Sequence, residues 1–485
     1  MILSNEKMSV SGHVFEGNVG KQNSILDEQV LNYARPGKNG ECELIIGLDF
    51  GTSASKVVIH APEQPGSPAY AVNFGEFAHP SMVYLLPSRL QITQAGICTL
   101  GNQDGASLVN DIKLELFSHD ENLKSNRGPM KQGLSPEATA TAYLSLLLRY
   151  ARRWFLTEKR DLVGDFERLN WSVNLGVPSP CIEDNEENRR FRRVGMAAWM
   201  LSVLHEGVTI EKAQKELKLL SEAPEYWEQD EDGLTCDFDI IPEIAAGAVG
   251  YALSQYRRYG VHVMIDIGAS TVDVCGFVLH QPDGESKYSL LTAAVEPLGT
   301  IKLHNQRIDS IQKAYDVHAR DLREKHDPLT PISDGIEPYL LSDEDIRSEV
   351  KNGENSLKKD CLRMVRKIIH DLKVRRTPLE NAWRGELPIL LIGGGSKLPF
   401  FQSLKDDLND WLIRFSDGCH ANFLPIPVPP TLPRDTQEYH RLAVAWGLSH
   451  RKPDVGEIVP ADSIPDIDPL GRRDWESAYI SKDQV

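Results

Sequence analysis

Three stretches of the chain share one pattern, in which an apolar run typical of a buried strand ends in a turn of small residues. They are LIIGLDFGTS at 44–53, VMIDIGASTVD at 263–273 and ILLIGGGS at 389–396. Such turns expose backbone N–H groups with little side chain in the way, and proteins hold phosphate oxygens with groups of this kind. The sequence therefore predicts a phosphate-binding site assembled from three separate strands.

Two of the three turns also carry aspartate, namely Asp49 in the first and Asp266 in the second. A carboxylate about 4 Å from a phosphate group is repelled by roughly 4 kcal/mol at an effective dielectric constant of 20. A divalent cation between the two groups removes this repulsion. We therefore expect Mg²⁺ at the site, with ATP as its companion.

Composition limits the other classes of function. With 485 residues, 41% hydrophobic and 25% charged, the chain is expected to form two or three ordinary domains. A net charge of −17 opposes nucleic-acid and anionic-membrane binding, although a local basic patch stays compatible with it. The seven cysteines form no C-x-x-C pair, so neither disulfides nor zinc are predicted, and a cytoplasmic location fits best. The sequence has no signal-like start and no apolar run of about eighteen residues, so we expect no membrane insertion.

Changes in pattern along the chain predict four segments. These are a flexible leader at 1–40, a first lobe at 41–257, a second lobe at 258–450 and a flexible, acidic and proline-containing tail at 451–485. Ser135, Pro136 and Glu137 predict the start of a helix that runs to about residue 157, with an aromatic stripe in the core. The small residues after Pro242 predict a helix that approaches a neighbour closely, as at a hinge between lobes.

The order of the motifs resembles that of the nucleotide-binding domain of DnaK-type heat-shock chaperones, within the actin, hexokinase and chaperone ATPase superfamily. The matching segments are GLDFGT at 47–52, PSMV at 80–83, VP at 177–178, PEIAA at 242–246, DIGASTVD at 266–273, LG at 298–299, IGGGSKLP at 392–399 and RLAVAWG at 441–447. The resemblance covers about residues 44–450. It implies an α/β, actin-like ATPase fold with two lobes, each built on a duplicated mixed five-stranded, ribonuclease H-like sheet with flanking helices.

The resemblance also implies roles for individual residues, with ATP or ADP and Mg²⁺ as cofactors. Asp49 and Asp266 would hold the metal through water. The phosphates would contact Gly51, Thr52, Ser53, Gly268, Ala269, Ser270 and Thr271, and the adenosine would lie against Gly393, Gly394, Gly395 and Ser396. The residues implied in hydrolysis are Glu243, Asp266, Thr271, Asp273 and Lys113.

Simpler interpretations exist for each of these residues. A strand that ends in Asp-x-Gly is also typical of an ordinary turn with a local side-chain hydrogen bond. Lys113 is equally compatible with a plain surface lysine, and Glu243 with an acid that only favours a helix start.

The sequence departs from the family pattern in three places. The stretch from Gly299 to Leu387 is shorter than the upper part of the family's second lobe, and no adenine contacts can be assigned within it. Ala269 and Ser270 replace two glycines of the second loop, which predicts weaker binding or slower hydrolysis. Residues 451–485 are too few for the family's peptide-binding domain, so we expect no independent chaperone activity.

The leading hypothesis is a slow ATPase that acts as a chaperone-like switch for a protein partner of unknown identity, as a monomer or in a partner-dependent complex. The first alternative is an actin-like filament-forming ATPase, which Lys56 in the first loop favours. The second is a phosphotransferase of the sugar-kinase type, which needs a carboxylate base beside a substrate hydroxyl; no aspartate stands out for that role.

Overall fold

The computed structural model describes residues 40–464, apart from several internal segments. These segments are 79–81, 102–103, 117–133, 164–167, 179–185, 204–206, 223–226, 228–235, 281–285, 313–314, 327–331, 341–343, 378–382, 417, 430 and 433–438. Most of the predicted leader, the Pro80-Ser81 pair and the part of the predicted tail beyond residue 464 lie outside the described chain.

The described chain divides into two compact α/β units. Unit 1 takes the described residues within 40–46, 50–175 and 189–240, and unit 2 takes those within 47–49, 176–188 and 241–464. The sequence predicted a boundary between 257 and 258. The observed division assigns the ends of two earlier strands, and the chain from residue 241 onward, to unit 2.

The strands of unit 1 form one six-stranded and one three-stranded sheet. They are β1 (Glu41–Asp49), β2 (Ala54–His60), β3 (Ala69–Ala71), β4 (Leu86–Pro87), β5 (Leu90–Ile92), β6 (Cys98–Thr99), β7 (Ser107–Val109), β8 (Arg168–Val177) and β9 (Asp237–Pro242). The larger sheet has the order β3-β2-β1-β8-β9, and β4 pairs with β2; the smaller has the order β6-β5-β7.

Five helices accompany these strands in the described part of unit 1. They are α1 (Ile112–Leu116), α2 (Pro136–Glu158), α3 (Arg160–Val163), α4 (Glu186–Val203) and α5 (Ile210–Glu222). The predicted start of α2 is confirmed, because the Ala138 N–H donates to the Ser135 hydroxyl over 3.3 Å. Tyr143 of α2 is fully buried and stacks on Phe50 at 5.8 Å, as the aromatic stripe predicted.

The strands of unit 2 form one mixed sheet. They are β10 (Gly260–Ile267), β11 (Val272–His280), β12 (Lys287–Glu296), β13 (Glu386–Ile392), β14 (His420–Leu424) and β15 (Glu457–Val459). The order is β14-β13-β10-β11-β12-β15. The pairs β10–β11 and β11–β12 are antiparallel, whereas β10–β13, β13–β14 and β12–β15 are parallel.

The helices of unit 2 surround this sheet. They are α6 (Glu243–Ala252), α7 (Thr300–Gln312), α8 (Asp316–Lys325), α9 (Glu344–Asp371), α10 (Pro399–Gln402), α11 (Leu404–Phe415), α12 (Tyr439–Leu448) and α13 (Lys452–Val455). A π-helical turn, Leu372–Arg376, continues α9. Apolar residues of α9, among them Leu357, Val365 and Ile369, share a core with Val263 and Ile389 of the sheet.

The main sheets of the two units have the same topology. Counted along the chain, the five principal strands of each lie in the order third, second, first, fourth, fifth. In both units helical structure follows the third and the fourth of these strands. The helices that follow the two fifth strands, α6 and α12, both belong to unit 2. Both main sheets therefore repeat one order of strands, and the molecule is an α/β protein with mixed sheets.

The structure corrects the prediction for the beginning of the tail. Residues 452–463, expected to be flexible, include α13 and strand β15, which pairs with β12 from Lys287↔Glu457 to Ser289↔Val459. The sheet of unit 2 thus extends beyond residue 450. None of the described helices combines the length and apolar character needed to cross a membrane.

Candidate functional site

The turn between β10 and β11 brings two predicted catalytic residues together. Asp266 lies next to the end of β10 and is paired directly with Asp273 of β11. Side chains in such a cross-strand pair have Cβ atoms about 5 Å apart on one face of the sheet, and two like charges in these positions destabilise the pair. The structure therefore places two carboxyl groups beside the turn at 268–271.

Carbonyl groups hold this turn in place. The Gly268 N–H donates to the Thr271 carbonyl over 2.9 Å and closes the turn. The carbonyls of residues 268, 269 and 270 in turn accept hydrogen bonds from the N–H groups of residues 300, 301 and 299 at the start of α7. Within the described chain the N–H groups of Ala269 and Ser270 donate no hydrogen bond. The turn thus keeps two backbone donors available for a ligand.

Gly299 has a packing role that the sequence motif did not reveal. A Cβ atom at Gly299 would lie 2.5 Å from the Ala269 carbonyl oxygen and 2.7 Å from the Ser270 carbonyl carbon. Only glycine fits here, because the atoms in the way belong to the backbone. Gly299 therefore allows the start of α7 to contact the 268–271 turn.

The three glycines after β13 pack against the end of β10 and the start of α12. Gly393 has φ +85°, and a Cβ atom there would lie 2.1 Å from Asp266 Oδ1. A Cβ atom at Gly395 would lie 2.3 Å from Ile267 Cγ2, and one at Gly394 would lie 2.6 Å from Arg441 Nη1. The second and third predicted motifs therefore meet, with Asp266 against Gly393.

Ser396 and two residues of α12 complete this region. Ser396 is buried, and its carbonyl accepts a hydrogen bond from Gln402. The carbonyl of His440 accepts from the Gly393 N–H, and burial, with Lys397 and Arg441 nearby, lowers the pKa of the His440 imidazole to about 4. Sequence reasoning gave no role to His440 or Arg441; Arg441 was noted only as part of the RLAVAWG segment.

Glu243 is a buried carboxyl group at the first position of α6. It follows Pro242 and is 8% exposed. It packs closely on Gly176, since a Cβ atom added at Gly176 would lie 3.0 Å from the Cγ of Glu243. The positive end of the helix dipole favours an acid at this position. Both the catalytic interpretation and the helix-start interpretation are compatible with this placement.

Asp49 is the last residue of β1 and is 6% exposed. The glycine two positions before it is explained by packing, since a Cβ atom at Gly47 would lie 2.1 Å from the Ala445 carbonyl oxygen of α12. The first motif therefore supplies a buried carboxyl group and a backbone that α12 approaches closely.

Ser88 holds the Gly51-Thr52-Ser53 turn of unit 1. The Ser88 hydroxyl donates to the Gly51 carbonyl over 2.6 Å, and its backbone N–H donates to the Ser53 carbonyl over 2.9 Å. Thr52 and Ser53 are half-buried. Sequence reasoning missed Ser88, which lies 35 positions after Ser53.

Lys113 is not the surface lysine of the simpler interpretation. It lies in α1, is 6% exposed, and follows Asp111, which has φ +56°. A lysine is rarely buried to this extent unless a partner compensates its charge. The surface-lysine interpretation is therefore wrong, and a role for Lys113 in hydrolysis stays a prediction.

The small residues of α6 serve close helix packing, as predicted. A Cβ atom at Gly447 of α12 would lie 1.9 Å from the Ala246 carbonyl oxygen of α6, and one at Gly250 would lie 2.5 Å from the Tyr439 hydroxyl. The two helices therefore cross with almost no side chain between them. The proposed hinge stays a prediction.

Within the described ranges, no group of three or more histidine, cysteine, aspartate or glutamate side chains is arranged to bind a metal directly. The described cysteines are free and buried: Cys42, Cys98, Cys236, Cys275, Cys361 and Cys419. No family model matches the chain, and no curated protein matches it with significant similarity.

Proposed function

We propose that unit 2 binds Mg²⁺-ATP beside the turn at 268–271, and that the chain works as a slow ATP-dependent switch for a protein partner. The observation that carries this proposal is the pairing of Asp266 with Asp273 next to a turn with available backbone donors. Carboxylates would hold the hydrated metal, and N–H groups would contact phosphate oxygens.

The repeated sheet topology supports the actin-like form of this proposal. The family that the motifs resemble is built from two lobes, each with a mixed five-stranded sheet. The order third, second, first, fourth, fifth occurs in both units of this chain. A duplicated arrangement of this kind is what the resemblance implies.

The residues present are chemically suited to a magnesium nucleotide. Asp266 and Asp273 supply hard oxygen ligands for water-mediated contact with Mg²⁺, which retains several waters in most protein sites. The glycine turn at 393–395 leaves backbone without side chains next to Asp266.

The finer assignments belong to the same proposal. Asp49 would share the metal, and Gly393 to Ser396 would lie against the adenosine. Glu243, Thr271 and Asp273 would orient water and accept its proton. Ala269 and Ser270, in place of two glycines, favour slow turnover. A cytoplasmic location fits a switch of this type.

Calorimetric titration of the full chain with ATP tests the proposal. We expect binding with excess Mg²⁺ and a loss of tenfold or more in affinity with EDTA or in Asp266→Asn, about 1.4 kcal/mol for each factor of ten. The control is Asp410→Asn, which changes an exposed aspartate of α11 in the same unit. Equal affinity in both variants, or no binding to the parent, would contradict the proposal.

Two further assays separate the alternatives. Sedimentation with ATP should leave the chain in the supernatant if it is a switch, whereas pelleting would favour an actin-like filament. Phosphoryl transfer to sugars or polyols that is faster than transfer to water would favour a kinase of the sugar-kinase type.

A further inference from the structure

A basic groove lies between α9 and α11 in unit 2. It has a volume of about 410 Å³ and is lined by Lys359, Leu362, Arg363, Arg366, Lys367, His370 and Trp411. Five of these side chains carry basic groups, although the whole chain has a net charge of −17. Lys359 and Lys367 are exposed, and neither pairs with a carboxylate of the described chain. The groove therefore presents positive charge to solvent in an acidic protein.

An aromatic surface accompanies this charge. Trp411 stacks on Phe415 with ring centroids 4.7 Å apart and an interplanar angle of 12°. The guanidinium of Arg366 lies 5.6 Å from the centre of the Trp411 ring. Basic side chains beside an aromatic ring suit a ligand segment that combines carboxylates with an apolar or aromatic side chain.

The described chain ends close to the carboxyl end of α9. The carbonyl of Ile464 accepts a hydrogen bond from Arg376, six positions after His370 on the same helix and its π-helical continuation. Ile464 also packs against the hydrophobic core that includes Trp411 and Phe415 at its border.

The sequence that follows Ile464 has the matching chemistry. It reads PDIDPLGRRDWESAYISKDQV over residues 465–485, with five acidic and three basic residues. Asp466 and Asp468 lie two and four positions after Ile464, and in Asp474-Trp475-Glu476 an aromatic residue stands between two acidic ones.

We propose that the basic groove between α9 and α11 is the docking site of the chain's own segment 465–485. Asp474 and Glu476 pair with the lysines of the groove, and Trp475 packs against Trp411. Length does not limit this contact. Twenty-one residues span up to about 70 Å, and the groove from His370 to Lys359 extends about 16 Å along α9.

When segment 465–485 occupies the groove, the chain itself covers this binding surface of unit 2. A protein partner with an acidic and aromatic segment would then compete with residues 465–485. This inference rests on the groove and on the end of the described chain; it is independent of ATP binding.

Hydrogen–deuterium exchange of the full chain tests the contact. In 50 mM salt, amides within 465–485 should exchange at least tenfold more slowly than in a synthetic peptide of the same sequence. The double variant Lys359→Glu/Lys367→Glu should bring that exchange to within twofold of the free peptide. The control Lys215→Glu/Lys218→Glu reverses two exposed lysines of α5 and should leave it unchanged.

A charge exchange separates docking from a general loss of structure. Adding Asp474→Lys/Glu476→Lys to the groove variant should restore slow exchange, because both signs are then reversed. Peptide-like exchange of 465–485 in the parent would overturn the proposal. So would protection that survives charge reversal in the groove, or a groove that binds an RNA oligonucleotide while 465–485 exchanges like the free peptide.

Discussion

The turns that follow the first strand of each main sheet differ in how they are anchored. In unit 1 a single residue, Ser88, donates to the carbonyls of Gly51 and Ser53. In unit 2 three consecutive N–H groups at the start of α7 donate to the carbonyls of residues 268–270, and the glycines at 393–395 pack against the same strand end. In both units hydrogen bonds to the carbonyls of the turn hold it in place, but in unit 2 more residues take part.

This difference indicates where sequence changes are costly. Removing the Ser88 side chain takes only one hydrogen bond from the unit 1 turn, because the other is donated by the Ser88 backbone N–H. A turn enclosed by backbone on several sides has no atom that can move away from an added methyl group. The unit 2 turn should therefore be the more rigid and the less tolerant of substitution.

The largest effect is expected for Gly393→Ala. The new Cβ atom would meet the Ile267 carbonyl at 2.5 Å as well as Asp266, and the φ of +85° adds strain. We expect a loss of about 4 kcal/mol in the free energy of unfolding. Gly385→Ala is the matched control, with φ +87° and no atom within 4 Å, and should cost only about 1 kcal/mol. Equal losses in urea denaturation would show that packing contributes nothing at Gly393.

We expect the free energy of unfolding to depend on pH because of His262 in unit 2. Burial lowers the pKa of this imidazole from 6.5 to about 4. Between these values unfolding makes His262 bind a proton, so its contribution to stability falls as the pH decreases from 6.5 to 4 and is constant outside that window. The residue accounts for about 3 kcal/mol of this loss.

The variant His262→Phe tests this dependence, since its ring can keep the stacking on Phe277 but cannot titrate. The slope of unfolding free energy against pH between 4 and 6.5 should decrease in the variant. An unchanged slope in His262→Phe would refute the assignment.

A moderate effect is expected for Ser88→Ala in unit 1. The change removes the donor to the Gly51 carbonyl and the contact with the Ser55 hydroxyl at 3.0 Å. Because the buried partners then lack these hydrogen bonds, the free energy of unfolding should fall by about 2 kcal/mol. The exposed Ser356→Ala in α9 is the control, with an expected change within about 0.5 kcal/mol. A Ser88→Ala loss as small as that of the control would mean that the turn has another anchor.

The smallest effect is expected for Asp273→Asn, and its sign is opposite. Removing one of two paired like charges should stabilise the nucleotide-free chain by about 0.5 kcal/mol. The same variant should bind Mg²⁺-ATP more weakly if the proposed function is correct. Thermal unfolding with and without Mg²⁺-ATP measures both results, with Asp410→Asn as the control. A variant that is less stable without nucleotide would indicate that the pair is not repulsive.

Local patterns were enough to predict several elements. The start of α2 followed from Ser135 and Pro136, whose cap and fixed φ act within one turn of the chain. Strand β10 followed from an apolar run that ends in a small-residue turn. The pairing of Asp266 with Asp273 was not predicted, because register depends on how the turn closes.

Features that join distant parts of the chain were missed. Sequence reasoning gave no function to Ser88, whose partner Ser53 lies 35 positions away, or to Arg441, which packs beside Gly394, 47 positions away. The division of the chain also differs, since residues 47–49 and 176–178 belong with unit 2. The prediction of a flexible tail was wrong for residues 452–463. Strand β15 is only three residues long, and so short a strand is stable only because it pairs with β12.

By itself the sequence determined the α/β class, the small-residue turns at strand ends and the glycine-rich segments, because strand and turn preferences act between neighbouring residues. The tertiary structure alone decided which turns meet, which carbonyls are anchored and why Gly299 and Gly393 must be glycine. Those outcomes depend on contacts between atoms that are far apart along the chain, and no local preference encodes such distances.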